Sequence, residues 1–321
     1  LLIFVGMKRL LFFSAMALSL AVQGQERTIK VNVTNDWSFD KTDEPVVVKL
    51  DEVKRLKFDV QSAIVRVEGK ELPCQLDDLD GDAKADELVF LADIGSGQTL
   101  AYEVTLSATG AQKEYTPRVY ADMMFDDKKG KHPFITSIEA PGKSYIYSDL
   151  YHHGAAFETE LTAFRVYFDH RQNIDIYGKK LRRLELADTH FYTTPEQMQK
   201  DYGNDVLWAG NSIGCGSFKL WDGTAPKNWE NVKTCGQRII AAGPLRTVVE
   251  VKDMGVEDGG LNVRQHYILY AGHRECEVQI VFDRPLASER FCTGVQKIGA
   301  SPKGMTQSDG IAASWGADYP E

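Results

Sequence analysis

Period-two alternation of apolar and polar residues runs through most of this chain and narrows its fold more than any other feature. Ile29, Val31 and Val33 alternate with polar neighbours, and Phe164, Val166 and Phe168 alternate with Arg165, Tyr167 and Asp169. Further short β-type runs lie at Val46–Leu50, Ile64–Val67, Leu88–Leu91, Tyr102–Leu106, Thr247–Val251, Leu261–Tyr270 and Cys276–Phe282, most of them bounded by Gly, Pro or Asp. Strand side chains point alternately to opposite faces, so such runs suit sheets with one face buried. No long 3.6-period stripe competes with them. The best helix signal is short, about Pro195–Tyr202, with Thr194 as N-cap, Pro195 at the first position and Gln197 completing a capping box. The pattern predicts an all-β fold: a large antiparallel β-sandwich with few short helices.

The first residues predict a compartment. Met7-Lys8-Arg9 is a short basic start, Leu10–Val22 is apolar apart from two serines, and Val22-Gln23-Gly24 ends on small residues. This is the pattern of a secretory signal over residues 1–24, too short to span a bilayer, so a periplasmic or secreted protein without a membrane span is expected. The abrupt C-terminal end predicts a truncated chain. A seam is expected after residue 106, dividing an N-terminal β-region (25–106) from a main β-sandwich region (107–321).

The whole sequence has 37 Lys and Arg against 46 Asp and Glu, a net charge of −9; without Lys8 and Arg9 it is −11. That balance argues against nucleic acid as a partner but still allows a local basic pocket. The five cysteines, Cys74, Cys215, Cys235, Cys276 and Cys292, match no zinc spacing and read as buried thiols with at most one or two disulfides.

The densest polar segment runs from Tyr151-His152-His153-Gly154 through Glu158 to Arg165, Tyr167, Asp169 and Lys179. Histidines on a glycine-containing turn suit proton transfer near neutral pH. Arg165, Tyr167 and Asp169 share one strand face, and Arg264 and His266 share one face of a later strand. Tyrosines beside fixed charges suit a sugar, whose apolar ring face stacks while its hydroxyls are read by polar groups. In the glycine-rich stretch 203–216, Asp205 is a candidate acid or ligand and Trp208 a stacking platform. Its glycines lack the Lys-Ser/Thr ending of a phosphate loop. Asp78, Asp80, Asp82 and Asp86 form an acidic turn and a candidate calcium site, although not in EF-hand order. Nothing in the sequence requires a cofactor. Hydride transfer, serine hydrolysis and zinc proteolysis have no motif.

His152-His153-Gly154-Ala155-Ala156-Phe157-Glu158, Phe164–Asp169, Gln172, Ile174–Lys179, Asp205–Gly210 and the acidic run from Leu76 to Phe90 resemble domain of unknown function 4861. The resemblance implies a β-sandwich similar to the galactose-mutarotase (supersandwich) superfamily in bacteria that digest polysaccharides. It also implies relatedness to an oligosaccharide dehydratase of ulvan breakdown, which removes water from a terminal uronic acid.

Residues and resemblance together predict β-elimination on uronic-acid-containing oligosaccharides or polysaccharides, of dehydratase or lyase type. His152, His153, Tyr167 and His266 are the expected catalytic groups. Glu158, Arg165, Lys179, Asp205, Trp208 and Arg264 are the expected substrate contacts, with Arg165 or Arg264 clamping the carboxylate. The alternatives are a glycoside hydrolase, whose two carboxyl groups would be Glu158 and Asp205, and a non-catalytic sugar-binding protein.

Overall fold

The computed structural model describes residues 26–144, 146–257, 259–298 and 310–316, with backbone alone at 3–4 and 303–306. The signal segment, 1–24, lies almost wholly outside the described residues.

The alternating runs do form antiparallel strands. In the first part of the chain, Glu26–Thr34, Thr99–Ser107, Ser62–Val67 and Lys70–Leu72 build one sheet in that order, and Lys41–Lys49, Glu87–Ile94 and Cys74–Asp77 build a second. Their inward positions, among them Val31, Val46, Val65, Phe90, Tyr102 and Val104, close over one apolar core.

In the second part, five strands pair in the order Ser137–Pro141, Thr234–Gly243, Arg246–Val256, Leu261–Tyr270 and Glu277–Phe282. Five others pair in the order Asn204–Asp205, Ile174–Gly178, Thr162–Tyr167, Gly154–Thr159 and Val119–Asp122. Phe157, Phe164, Val166 and Phe168 from one sheet meet Val249, Val251, Tyr267 and Leu269 from the other in a shared core. Face-to-face packing of this kind is a β-sandwich. Truncating a fully buried aromatic such as Phe157 would cost about 3–5 kcal/mol.

Polar contacts join the two parts. Arg246 donates to Asp77 through Nε at 2.8 Å and to Glu87 through Nη1 at 2.7 Å. Gln75 Oε1 accepts from the backbone N–H groups of Leu245 and Arg246. Arg118 bridges Asp43 and Glu160. These contacts hold strand Cys74–Asp77 against the start of strand Arg246–Val256.

The predicted helix is shorter than expected. The capping box at Thr194 is present, but the helix spans only Pro195–Met198, and Asp201 then adopts φ +58°. A left-handed residue of this kind ends a helix. The five cysteines form no disulfide among the described residues, and no helix there is long and apolar enough to cross a membrane.

Candidate functional site

Strand register decides which side chains meet. Asp122, Ala156, Arg165 and Asp175 stand in one cross-strand row, and the neighbouring row holds Ala121, Phe157, Phe164 and Ile176. The second row faces the sandwich core, so the first faces outward. The small Ala156 leaves room between Asp122 and Arg165. The segment from Leu186 to Tyr192 crosses this outer face, where Leu186 and Phe191 pack on Ala156, Ala163 and Tyr177.

Arg165 is buried and held by several protein partners. Its Nε and Nη2 donate to Asp175 Oδ2 at 3.0 and 2.7 Å, Nη2 also reaches Asp205 Oδ2 at 3.0 Å, and Nη1 donates to the Tyr192 hydroxyl at 3.1 Å. The guanidinium also lies 4.4 Å from the Phe191 ring centre. Burial disfavours its charge, but Asp175 and its other partners outweigh that and hold its pKa above the ordinary arginine value. This corrects the expected clamp: the hydrogen-bond donors of Arg165 are engaged within the protein, so it organises the floor of the site. Tyr167 is corrected likewise, because its hydroxyl donates to Asp175 Oδ2 at 2.5 Å and its proton is committed. Burial, with the nearby Asp175 carboxylate, pushes the Asp205 carboxyl up to about 6.

The two histidines differ. His152 is fully buried, and its Nε2 lies 2.8 Å from Asp122 Oδ1 in a contact too bent to be a good hydrogen bond. His190 approaches the other oxygen of Asp122 at 3.6 Å, and the Tyr120 hydroxyl donates to it at 3.1 Å. Burial pushes the Asp122 carboxyl up, but its two histidines reverse this and the net shift is downward. Enclosed as it is, His152 can position neighbours but cannot meet a ligand directly.

His153 is half-buried and sits on a strained turn. Its φ is +70°, and the nearby His190 and Phe191 also have positive φ, at +45° and +68°. Left-handed conformations are uncommon outside glycine and gather at functional sites. The next residue must be glycine, since a Cβ on Gly154 would lie 1.8 Å from the Val166 carbonyl oxygen. His153 Nδ1 lies 3.0 Å from the Tyr147 carbonyl oxygen. With Nδ1–H donating there, Nε2 carries the lone pair. Burial lowers the His153 pKa, and the charges of Arg165 and Arg171 add to this, so the ring is neutral at pH 7.

Aromatic rings surround it. Tyr147 stacks on the His153 ring at 3.8 Å, and Tyr167 and Tyr192 stand edge-on at 6.4 and 6.2 Å. Tyr192 is 41% exposed. Its oxygen accepts from Arg165, which leaves its own proton available to a ligand, and burial raises its pKa so that it stays a phenol. Arg171, paired with Asp169, lays its guanidinium about 5 Å from the centres of both the Tyr147 and Tyr167 rings. Tyr192 and Arg171 are thus site residues that the sequence reading did not nominate. Arg171 lay inside the dense polar segment, but nothing local singled out Tyr192.

Other expected contacts lie elsewhere. Glu158 and Lys179 form a buried ion pair, and Glu158 also accepts from the backbone N–H groups of Glu185 and Leu186. Burial pushes the carboxyl up and the ammonium down. The pair anchors the chain entering the short helix Leu186–Thr189, so neither member is exposed to a substrate. Glu158 therefore does not share an open pocket with Asp205, and the hydrolase pairing fails on geometry.

Arg264 and His266 project from the outer face of the opposite sheet, because Val263, Gln265 and Tyr267 hold the inward positions. There Arg264 is exposed, and His266 Nε2 lies 3.1 Å from Glu250. The sandwich core separates them from His153, so the expected meeting of two strands over one sugar does not occur.

In the acidic turn, Asp78, Asp80 and Asp86 bring carboxylate oxygens within 4.8 Å of one another, whereas Asp82 is not in that group. Asp78 caps the N–H groups of Gly81 and Ala83, and Asp86 caps that of Leu79. The turn is therefore held by its own backbone.

The family of the chain can now be set beside this geometry. The model of a domain of unknown function, DUF4861, matches residues 33–321. The chain belongs to the DUF4861 family. Its match covers both the acidic turn and the whole outer-face cluster of this DUF4861 chain. Neither the curated proteins nor the solved structures contain a match to it.

Proposed function

We propose that the protein is an exported, periplasmic or secreted enzyme that acts on uronic-acid-containing oligosaccharides by β-elimination, as a dehydratase or lyase. The reading rests on one observation: a neutral histidine with its Nε2 lone pair available, a phenol with an available proton and a guanidinium converge among tyrosines on one outer sheet face.

In this reading His153 Nε2 takes the proton from the carbon beside the uronate carboxylate. Arg171, whose Nε and Nη2 stay on Asp169, acts on the carboxylate through its field as negative charge develops there. Electrostatic stabilisation of that charge is what makes so weak an acid removable. The neighbouring carbon–oxygen bond then breaks, a carbon–carbon double bond forms, and the leaving oxygen takes the Tyr192 proton. If that oxygen carries hydrogen the product is water; if it carries a sugar the reaction is a lyase cleavage. Arg165 hydrogen-bonds the phenolate that remains. Tyr151, whose ring stands edge-on to that of Tyr192 at 6.0 Å, offers a face for the sugar to stack on. The all-β architecture is compatible with the galactose-mutarotase likeness.

The test is incubation with uronate-terminated oligosaccharides, read by the ultraviolet absorbance of the new conjugated double bond. A rise that His153→Ala abolishes supports elimination. New reducing ends without that rise would support hydrolysis, and saccharide binding without either would support a binding protein.

A further inference from the structure

An open pocket of about 620 Å3 lies under the loop that carries Trp208, within the size range of small-ligand sites. Trp208, 68% exposed, forms part of its wall, with Asn211, Lys219, Asn228, Gln296 and Lys297. Among the described residues no Asp or Glu lines it, although the whole chain carries a net charge of −9.

Lys219 is the unusual member. Its side chain is buried, and among the described residues its ammonium donates to neutral oxygens: the Arg171 carbonyl, Asn173 Oδ1 at 2.8 Å and Asn228 Oδ1 at 3.0 Å. A buried ammonium ordinarily has a carboxylate partner. The carboxylate whose charge acts on it, Asp169, is already held by Arg171. Its positive field is therefore available to an anion entering the pocket, with the half-exposed Asn228 at the boundary.

Arg171 links the wall of this pocket to the proposed site. The backbone carbonyl of that residue accepts from Lys219, while its guanidinium lies over Tyr147 and Tyr167. The loop carrying Trp208 is tied to the same strand end, because Asn173 Nδ2 donates to the Gly210 carbonyl at 2.7 Å. Trp208 is in turn fixed from the other side, where Gln296 Nε2 donates to its carbonyl at 3.1 Å.

We propose that this pocket is a subsite for a second, anionic sugar unit of the substrate, which stacks on Trp208, sets its carboxylate or sulfate ester against the exposed Lys297 and lies in the field of the buried Lys219. The inference deepens the proposed function and relies on it for the saccharide nature of the ligand. Its consequence is a preference for acidic oligosaccharides over single uronic acids, because the second charge is read away from the reacting one.

The test is calorimetric titration of the full chain with three probes: a uronate trisaccharide, its carboxyl-reduced counterpart, and a sulfated trisaccharide without uronate. Lys297→Ala and Lys219→Gln should each weaken the uronate trisaccharide about tenfold, the loss typical of one charged contact, and leave the carboxyl-reduced probe unchanged. Trp208→Ala should weaken both. Equal affinity for the charged and reduced probes, or lysine variants that affect neither, would overturn the subsite. If Lys219→Gln does not fold, Lys297→Ala and the loss of affinity with added salt decide alone. The sulfated probe distinguishes a pocket that reads charge, if it binds with the same lysine dependence, from one that reads a carboxylate. Absorbance on the same samples separates the two claims. Lysine-dependent binding without unsaturation would retire elimination and keep the subsite. Unsaturation with lysine-independent affinity would do the reverse.

Discussion

Replacing Lys179 with methionine should destabilise the protein by about 3–5 kcal/mol at neutral pH, the usual cost of removing one member of a buried ion pair. The ammonium pairs with Glu158 and also donates to the carbonyls of Thr159, at 2.6 Å, and Arg183, at 2.8 Å. Methionine keeps the volume but removes every donor and strands a fully buried carboxylate. For a chain of 321 residues the unfolding entropy is roughly 0.6 kcal/mol/K, so Tm should fall by about 5–8 °C.

The deficit should depend on pH. Burial already raises the Glu158 pKa above its ordinary 4.5, and without Lys179 it rises further. A carboxyl whose folded pKa exceeds its unfolded value contributes stability below the unfolded pKa and loses it as pH rises through the folded one. The melting deficit should therefore be largest near pH 8 and shrink toward pH 4.5. Adding Glu158→Gln to Lys179→Met should recover at least half of it at pH 8. Scanning calorimetry at three pH values checks this. An unchanged Tm at pH 8, or a deficit that grows on acidification, would refute the assignment of this pair to structure.

Three further outcomes follow from the site and the core. Asp122→Asn, which loosens His152 and His190 without touching a ligand, should lower kcat with little change in KM and move the acid limb of the pH–rate profile; a normal profile would leave Asp122 with a purely structural role. In the parent protein the rate should rise with pH along a limb below the ordinary histidine value of 6.5, because burial lowers the His153 pKa. It should then hold through neutrality, because burial raises the Tyr192 pKa; a limb centred above 7 would contradict the assigned base. Asp253 is fully buried and burial pushes its carboxyl up to about 7, so stability falls between about pH 4 and 7, where the unfolded carboxyl is ionised and the folded one still holds its proton. Asp253→Asn should raise Tm at pH 8, by about 1–3 kcal/mol in stability, and the gain should shrink on acidification and vanish below about pH 4; melting curves across that range check this.

Much of the fold was legible because alternation is local information. Val31 with Val33, and Phe164 with Val166 and Phe168, face cores as their spacing predicts. Strand Gly154–Thr159 was not legible as a strand: Gly-Ala-Ala-Phe-Glu-Thr has weak β-propensity, and burial of all six residues between neighbouring strands fixes it. The site was legible in part. Period two places Arg165 and Tyr167 on one face, but it cannot say which side of the sandwich Arg264 and His266 occupy, since that depends on strand order. Nor can it show that Glu158 finds Lys179 from 21 residues away, or that Tyr192 reaches Arg165 from 27. Such partners are chosen by long-range packing, and they turned expected ligand contacts into structural ones.

The most direct measurement is the absorbance of the unsaturated product formed from a uronate-terminated oligosaccharide by the parent protein, His153→Ala and Tyr192→Phe. Product should accumulate with the parent, and each substitution should slow it by about 10²–10⁴-fold, while saccharide affinity in calorimetry stays within a few-fold. Undiminished turnover in His153→Ala would contradict the role given to that imidazole.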